Sequence, residues 1–270
     1  MEERKISRFP LPVFDAASII DVMIEMTRKQ REIERRTIDI LRVAKPILVR
    51  EGFQALTMDR LAAQMEYAKG TIYNHFPHKE EIVLALAIQA MELRRRLFER
   101  SASMMMNSRS RMMAVGAACE FYTQNCQEEF IVEQWMRTHS VWEKSSQQRQ
   151  NLIRQCEGQC MSIVAGIVRD AMSASELTVP SDMTHEEFVF GFWALTYGNQ
   201  ILIASSPSLP ALGIHHPARA IRIHCATLLN GFGWQPLMDL SDHLQLAEQL
   251  ASALTPQLHA MRQEHLSEFQ

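Results

Sequence analysis

The side chains best suited to act on a partner lie between Thr57 and Glu81, in the run TMDRLAAQMEYAKGTIYNHFPHKEE. Lys69, Thr71, Tyr73, Asn74 and His75 fall within about two turns of a helix. They offer an ammonium, two hydroxyls, an amide and an imidazole. These groups can read base edges and hold phosphates; they do not make a nucleophile with its base. Gly70 leaves the entrance of the segment without a side chain, so backbone can approach a phosphate closely. A helix that enters a major groove presents such donors with its N-terminal end foremost.

Other chemistry finds little support. The sequence contains no G-x-S-x-G, P-loop, H-E-x-x-H or G-x-G-x-x-G. The expectation is a non-enzyme with no catalytic residue, no cofactor and no metal. Cys119 and Cys126, like Cys156 and Cys160, could share a helix face, but no His or acidic residue stands at ligand spacing beside them. They are read as core thiols, and His215, His216 and His224 as solvated or satisfied rings. Five Cys without framework spacing suit a reducing cytosol. The most apolar stretch, Phe188 to Ala204, is broken by Thr196, Tyr197, Asn199 and Gln200, and falls short of the ~20 residues that cross a bilayer.

The elements that must position the window are helical. From Arg28 to Arg50 the apolar residues Ile33, Ile40, Leu41, Ala44, Ile47 and Leu48 keep a 3.6-residue period, although Pro46 removes one hydrogen bond. Gly52 then stands where a helix end wants a residue tolerant of positive φ. Thr57 caps a short second helix whose Leu61, Ala62 and Met65 face inward. A third covers Ala68 to Asn74, with Ile72 and Phe76 in the core, and Pro77 stops it. A long amphipathic helix follows from Lys79 to about Arg100. Breaks at 101–110, 173–184, 205–217 and 231–241 divide the rest into further helices, so the fold is all-α. Net charge supports a division of labour. The chain carries −3 overall, yet residues 28–100 hold 15 basic against 10 acidic side chains, and residues 101–270 hold 10 against 16.

The run GTIYNHFPHKEE, with the preceding EGFQALTMDRLAAQM, resembles the TetR family of bacterial transcriptional regulators over about Arg36 to Leu86. The resemblance implies a helix-turn-helix DNA-binding head at 28–78, a connecting helix at 79–100, and a helical ligand-binding and dimerisation domain at 101–236. An N-terminal extension (1–27) and a C-terminal helical tail (237–270) flank them. It implies a cytoplasmic, nucleoid-associated homodimer on a palindromic duplex operator, released by a small hydrophobic or aromatic inducer. The alternative keeps the head but has the C-terminal part bind a partner protein. By position, Thr57 would touch a phosphate, and Lys69, Gly70 and Thr71 would open the recognition helix. Tyr73 and His75 would reach the DNA backbone, Asn74 a base or the backbone, and Lys79 a phosphate.

Two positions depart from the family pattern. Glu66 stands where the turn commonly has Gly, and Ala68 where the third helix commonly has a Ser cap. Each departure is expected to cost ~1 kcal/mol. Phe121, Trp135, Met136, Trp142, Met161, Phe192, Trp193 and Tyr197 are the candidates for lining an apolar pocket. In the extension, Arg4, Lys5 and Arg8 could form an arm on DNA. Ile19, Ile20, Met23 and Ile24 could instead pack a further helix on the body.

Overall fold

The computed structural model describes residues 27–268, which form helices α1 (Arg28–Glu51), α2 (Met58–Gln64), α3 (Lys69–His75), α4 (Lys79–Ala102), α5 (Ser108–Asn125), α6 (Gln127–Met136), α7 (His139–Lys144), α8 (Gln147–Ser173), α9 (His185–Ser205), α10 (Pro217–Gly231) and α11 (Leu240–Ser267). Among the described residues there is no strand. The proposed arm and apolar stretch before Thr27 lie outside the described residues.

The head is α1 to α3. Thr27 opens α1 with a reciprocal cap: its hydroxyl accepts from Gln30 N, and the Gln30 side chain accepts from Thr27 N at 2.7 Å. Gly52 ends the helix at φ +86, where a β-carbon would stand 3.7 Å from the Trp135 ring. Ile40, Leu41, Ala44 and Leu48 of α1 meet Leu61 and Ala62 of α2, Ile72 of α3 and Phe76. Ala68 caps α3 without a side-chain bond. Glu66 adopts φ +54 in the turn, and Tyr67 N donates back to Ala62 O at 2.9 Å. A side chain with a β-carbon is strained there, so Glu66→Gly is expected to stabilise the head by about 0.5–1 kcal/mol. A raised urea midpoint with unchanged slope is the measurement, and a lowered midpoint would show that the Glu side chain contributes more than its backbone costs.

One core runs from the head into the body, because Val132 and Met136 of α6, Val141 of α7 and Ile153 and Cys156 of α8 join the head cluster. A second core gathers Leu93 and Leu97 of α4, the inner faces of α5 and α8, and Phe188 and Trp234. Leu250, Leu254 and Leu258 of α11 lie in it too. In the C-terminal segment, α11 packs into the body along α5 and α4, because it carries an apolar row at helical spacing. No helix among the described residues is long and apolar enough to cross a membrane.

Candidate nucleic-acid interface and interior cavity

The outer face of α3 is polar and open. Lys69, Gly70, Tyr73 and Asn74 are exposed at i, i+1, i+4 and i+5, while Ile72 on the opposite side is fully buried. Nothing lies within 4 Å of a β-carbon placed on Gly70. Tyr73 stands 48% exposed, large for an aromatic ring without a partner surface. Thr57 caps α2 by accepting from Arg60 N at 3.2 Å. Lys69 reaches back to Asp59 at 2.7 Å, which raises its pKa through that hydrogen bond. Both partners are largely exposed, so the pair is weak and exchangeable. Thr71 is half-buried at the first turn.

His75 and Lys79 each make a contact within the protein. His75 Nδ1 is bonded to the Thr37 hydroxyl at 2.9 Å, and burial, then Arg36, lowers its pKa. Its ring fixes α3 to α1. Lys79 does not stand free at the start of α4: its Nζ donates to the Phe53 carbonyl at 2.9 Å and lies 3.9 Å from the Phe53 ring centre. Burial holds its pKa below the usual range. The basic side chains that sequence reading passed over are Arg28, Lys29 and Arg36, which share a shallow groove with His75 at the edge of this face. The excess of basic residues from Arg28 onward was their only signal.

Beside the shared core, polar and aromatic contacts tie the head and the first turn of α4 to the body. Lys45 donates to Glu129 at 2.6 Å. Phe53 stacks on Trp135 with ring centres 5.8 Å apart. Glu81 accepts from Ser146 N, from the Ser146 hydroxyl and from Arg149 Nε at 2.6 Å.

Beyond the joint, the body holds a partly open cavity of about 540 Å³ walled by α4, α5, α6, α8, α9, α10 and α11. Met161, Phe192, Trp193 and Tyr197 line it. Phe121, Trp135, Met136 and Trp142 do not. Phe121 packs edge-on against His259, and Met136 is buried in the head core. Trp135 faces Phe53, and Trp142 carries the Arg154 guanidinium over its ring. The wall also includes Met91, Met112, Met113 and the thiols Cys119, Cys160 and Cys225. Burial pushes these thiols up to about 12, 11 and 11, so they are protonated and poorly nucleophilic. All five cysteines are free, and no group of three or more His, Cys, Asp or Glu among the described residues is placed to hold a metal ion. The cationic side chains on the wall are neutralised in pairs: Arg94 with Glu133, Arg137 with Glu157 at 3.0 Å, and Arg222 with Glu120 at 2.8 Å. Such a space suits an apolar molecule of moderate size.

Residues 40–86 match the family model described as bacterial regulatory proteins, tetR family. None of the curated proteins matches the chain. Among solved structures, a protein with unknown function from Rhodococcus sp. RHA1 is 17% identical, with a TM-score of 0.58, over 74% of this chain and 95% of that one. A bacterial regulatory protein in the tetR family from Rhodococcus RHA1 is 16% identical, with a TM-score of 0.54, over 73% and 97%. At these identities the likeness is one of fold.

Proposed function

We propose that this chain, whose residues 40–86 match the tetR family model, is a DNA-binding regulator of transcription that acts as a homodimeric repressor on a palindromic duplex site. A small hydrophobic or aromatic ligand in the body cavity releases it. The observation that carries the DNA half is the open polar face of α3, set on a fully packed three-helix head. The pairing half is supported by exposed Phe190, Leu202 and Ile203 on α9 and by exposed Leu212 and Ile214 in the segment that follows it. A second copy covers such side chains without any new element. Binding from a random duplex pool is the test: enrichment of two inverted half-sites supports the reading, and no enrichment, or a monomer in solution at micromolar concentration, contradicts it.

Within this interface, Lys69 acts on phosphate rather than on a base, leaving Asp59 when it does so. Lys69→Ala is expected to weaken all duplexes alike and to flatten the salt dependence by ~1 in the log–log slope. A fluorescence-anisotropy salt titration reads this directly. An unaltered slope would remove Lys69 from the interface.

A further inference from the structure

Arg109, near the start of α5, is fully buried. Its Nη1 donates to the Trp234 carbonyl at 2.6 Å, but Nε and Nη2, the two nitrogens of one edge, have no acceptor. Burial alone lowers its pKa, with no neighbouring carboxylate to raise it again. The nearby Ser108 hydroxyl is already engaged: it donates to Glu176 and accepts from Trp234 Nε1. The three wall arginines each have a carboxylate; Arg109 has none.

Beside it, His243 of α11 is 3% exposed, lines the cavity, and leaves Nδ1 without a partner. Burial, and after it the Arg109 charge, brings its pKa down to about 4, so at neutral pH the ring is uncharged and retains one donor and one acceptor. Met112 and Met113, one turn along α5 from Arg109, line the same wall.

We propose that this corner, the open edge of Arg109 together with His243, is the subsite for the carboxylate head of an amphipathic ligand whose apolar body fills the rest of the cavity. The proposal rests on the reading of the cavity as the ligand site, and it narrows the ligand to an organic monocarboxylate. A guanidinium edge with both nitrogens open matches the two oxygens of a carboxylate, and the pair is charge-assisted. A buried cation without a counter-ion is unfavourable, so a carboxylate that reaches it removes a penalty that a neutral ligand leaves in place. At Arg94, Arg137 or Arg222 an added anion gains less, because each is already neutralised. Methionine side chains repack at little cost, so Met112 and Met113 yield a path from the cavity to the edge.

Titration calorimetry on the full chain with sodium decanoate and sodium 4-phenylbutyrate, against decan-1-ol and 4-phenylbutan-1-ol, tests this. In the wild type a carboxylate is expected to bind about tenfold to a hundredfold more tightly than its alcohol. Arg109→Met removes that preference, so that the carboxylate binds no more tightly than its alcohol. Arg109→Lys, which keeps the charge but loses the two-nitrogen edge, removes most of it and serves the same purpose if the Met variant does not fold. A preference that survives both variants, carboxylates that bind no better than alcohols, or no carboxylate binding at all overturns the carboxylate subsite. Gly116→Trp supplies the separate control. Gly116 lines the open side of the cavity with nothing within 4 Å of an added β-carbon, so an indole there has room to narrow the space and is expected to weaken binding. Binding undiminished in that variant would place the ligand elsewhere and overturn the cavity reading itself.

Discussion

Glu81→Ala is expected to destabilise the protein by about 3–5 kcal/mol, the range for removing one partner of a buried ion pair. Glu81 lies in the first turn of α4, just past the recognition helix, and is 4% exposed. Its carboxylate takes the backbone N–H and hydroxyl of Ser146, the cap of α8, and the Arg149 guanidinium. It also lies at the positive end of the α8 dipole. Removing it leaves Arg149, itself mostly buried and stacked 5.3 Å from the Phe76 ring, as an unpaired cation between head and body. Burial already lowers the Arg149 pKa, and Glu81 is the charge that opposes this. Urea unfolding followed by circular dichroism measures the loss. The double variant Glu81→Ala with Arg149→Met should recover a large part of it, since an apolar pair no longer carries a buried charge. A loss under about 1 kcal/mol would mean that the pair behaves as a surface one.

The contrast between these contacts and the sequence reading has a physical cause. Thr57 as a cap, Gly52 at positive φ, Pro77 as a stop and the α1 stripe are local features, each decided by a residue and its near neighbours. They were legible. So was the polar face of α3, because Lys69, Gly70, Tyr73 and Asn74 repeat at helical spacing around a buried Ile72. The breaks between α5, α6, α7 and α8 contain neither Gly nor Pro, and were not legible. Cys126 leaves the helix at φ −121, ψ 47, and α6 and α7 start without a side-chain cap. Packing fixes those ends, with Cys126 fully buried in the body core. Composition could not separate a wall from a joint either: Trp135 and Trp193 are the same residue type, yet one faces Phe53 and the other the cavity. Lys79 opens a helix, which is visible in the sequence, whereas its contact with Phe53, 26 residues earlier, is not.

Trp135→Ala is expected to leave both ligand binding and operator binding in place while abolishing the effect of one on the other. The short helix α6 touches both the cavity and the head. Gln127 and Phe130 line the cavity, as does Arg137 just after the helix, and Gln134 exchanges hydrogen bonds of 2.9 and 3.1 Å with the Tyr197 hydroxyl of the wall. From the same helix Glu129 holds Lys45 of α1, and Trp135 stacks on Phe53. Phe53 in turn holds Lys79, the first residue of α4. A ligand that displaces Tyr197 or Phe130 therefore moves α6, and α6 carries the displacement to α1 and to the start of α4 together. The long connecting helix then follows the joint rather than driving it. In the proposed dimer the two heads would meet successive major grooves ~34 Å apart, so a shift of a few ångströms at each would spoil the fit. Coupling of about 1–3 kcal/mol corresponds to a roughly 5–150-fold loss of operator affinity when ligand is bound. Without the indole, that factor should fall towards one. Trp142→Ala is the matched control: it truncates another partly buried tryptophan against the same core, but one that carries Arg154 and does not touch Phe53. It should lose some stability and keep the coupling. Linkage supplies a second reading of the same quantity, because operator DNA must weaken ligand binding by the factor by which ligand weakens operator binding. Both effects should vanish together in Trp135→Ala, and a variant that keeps either one would show that α4 transmits the signal without the Phe53–Trp135 contact.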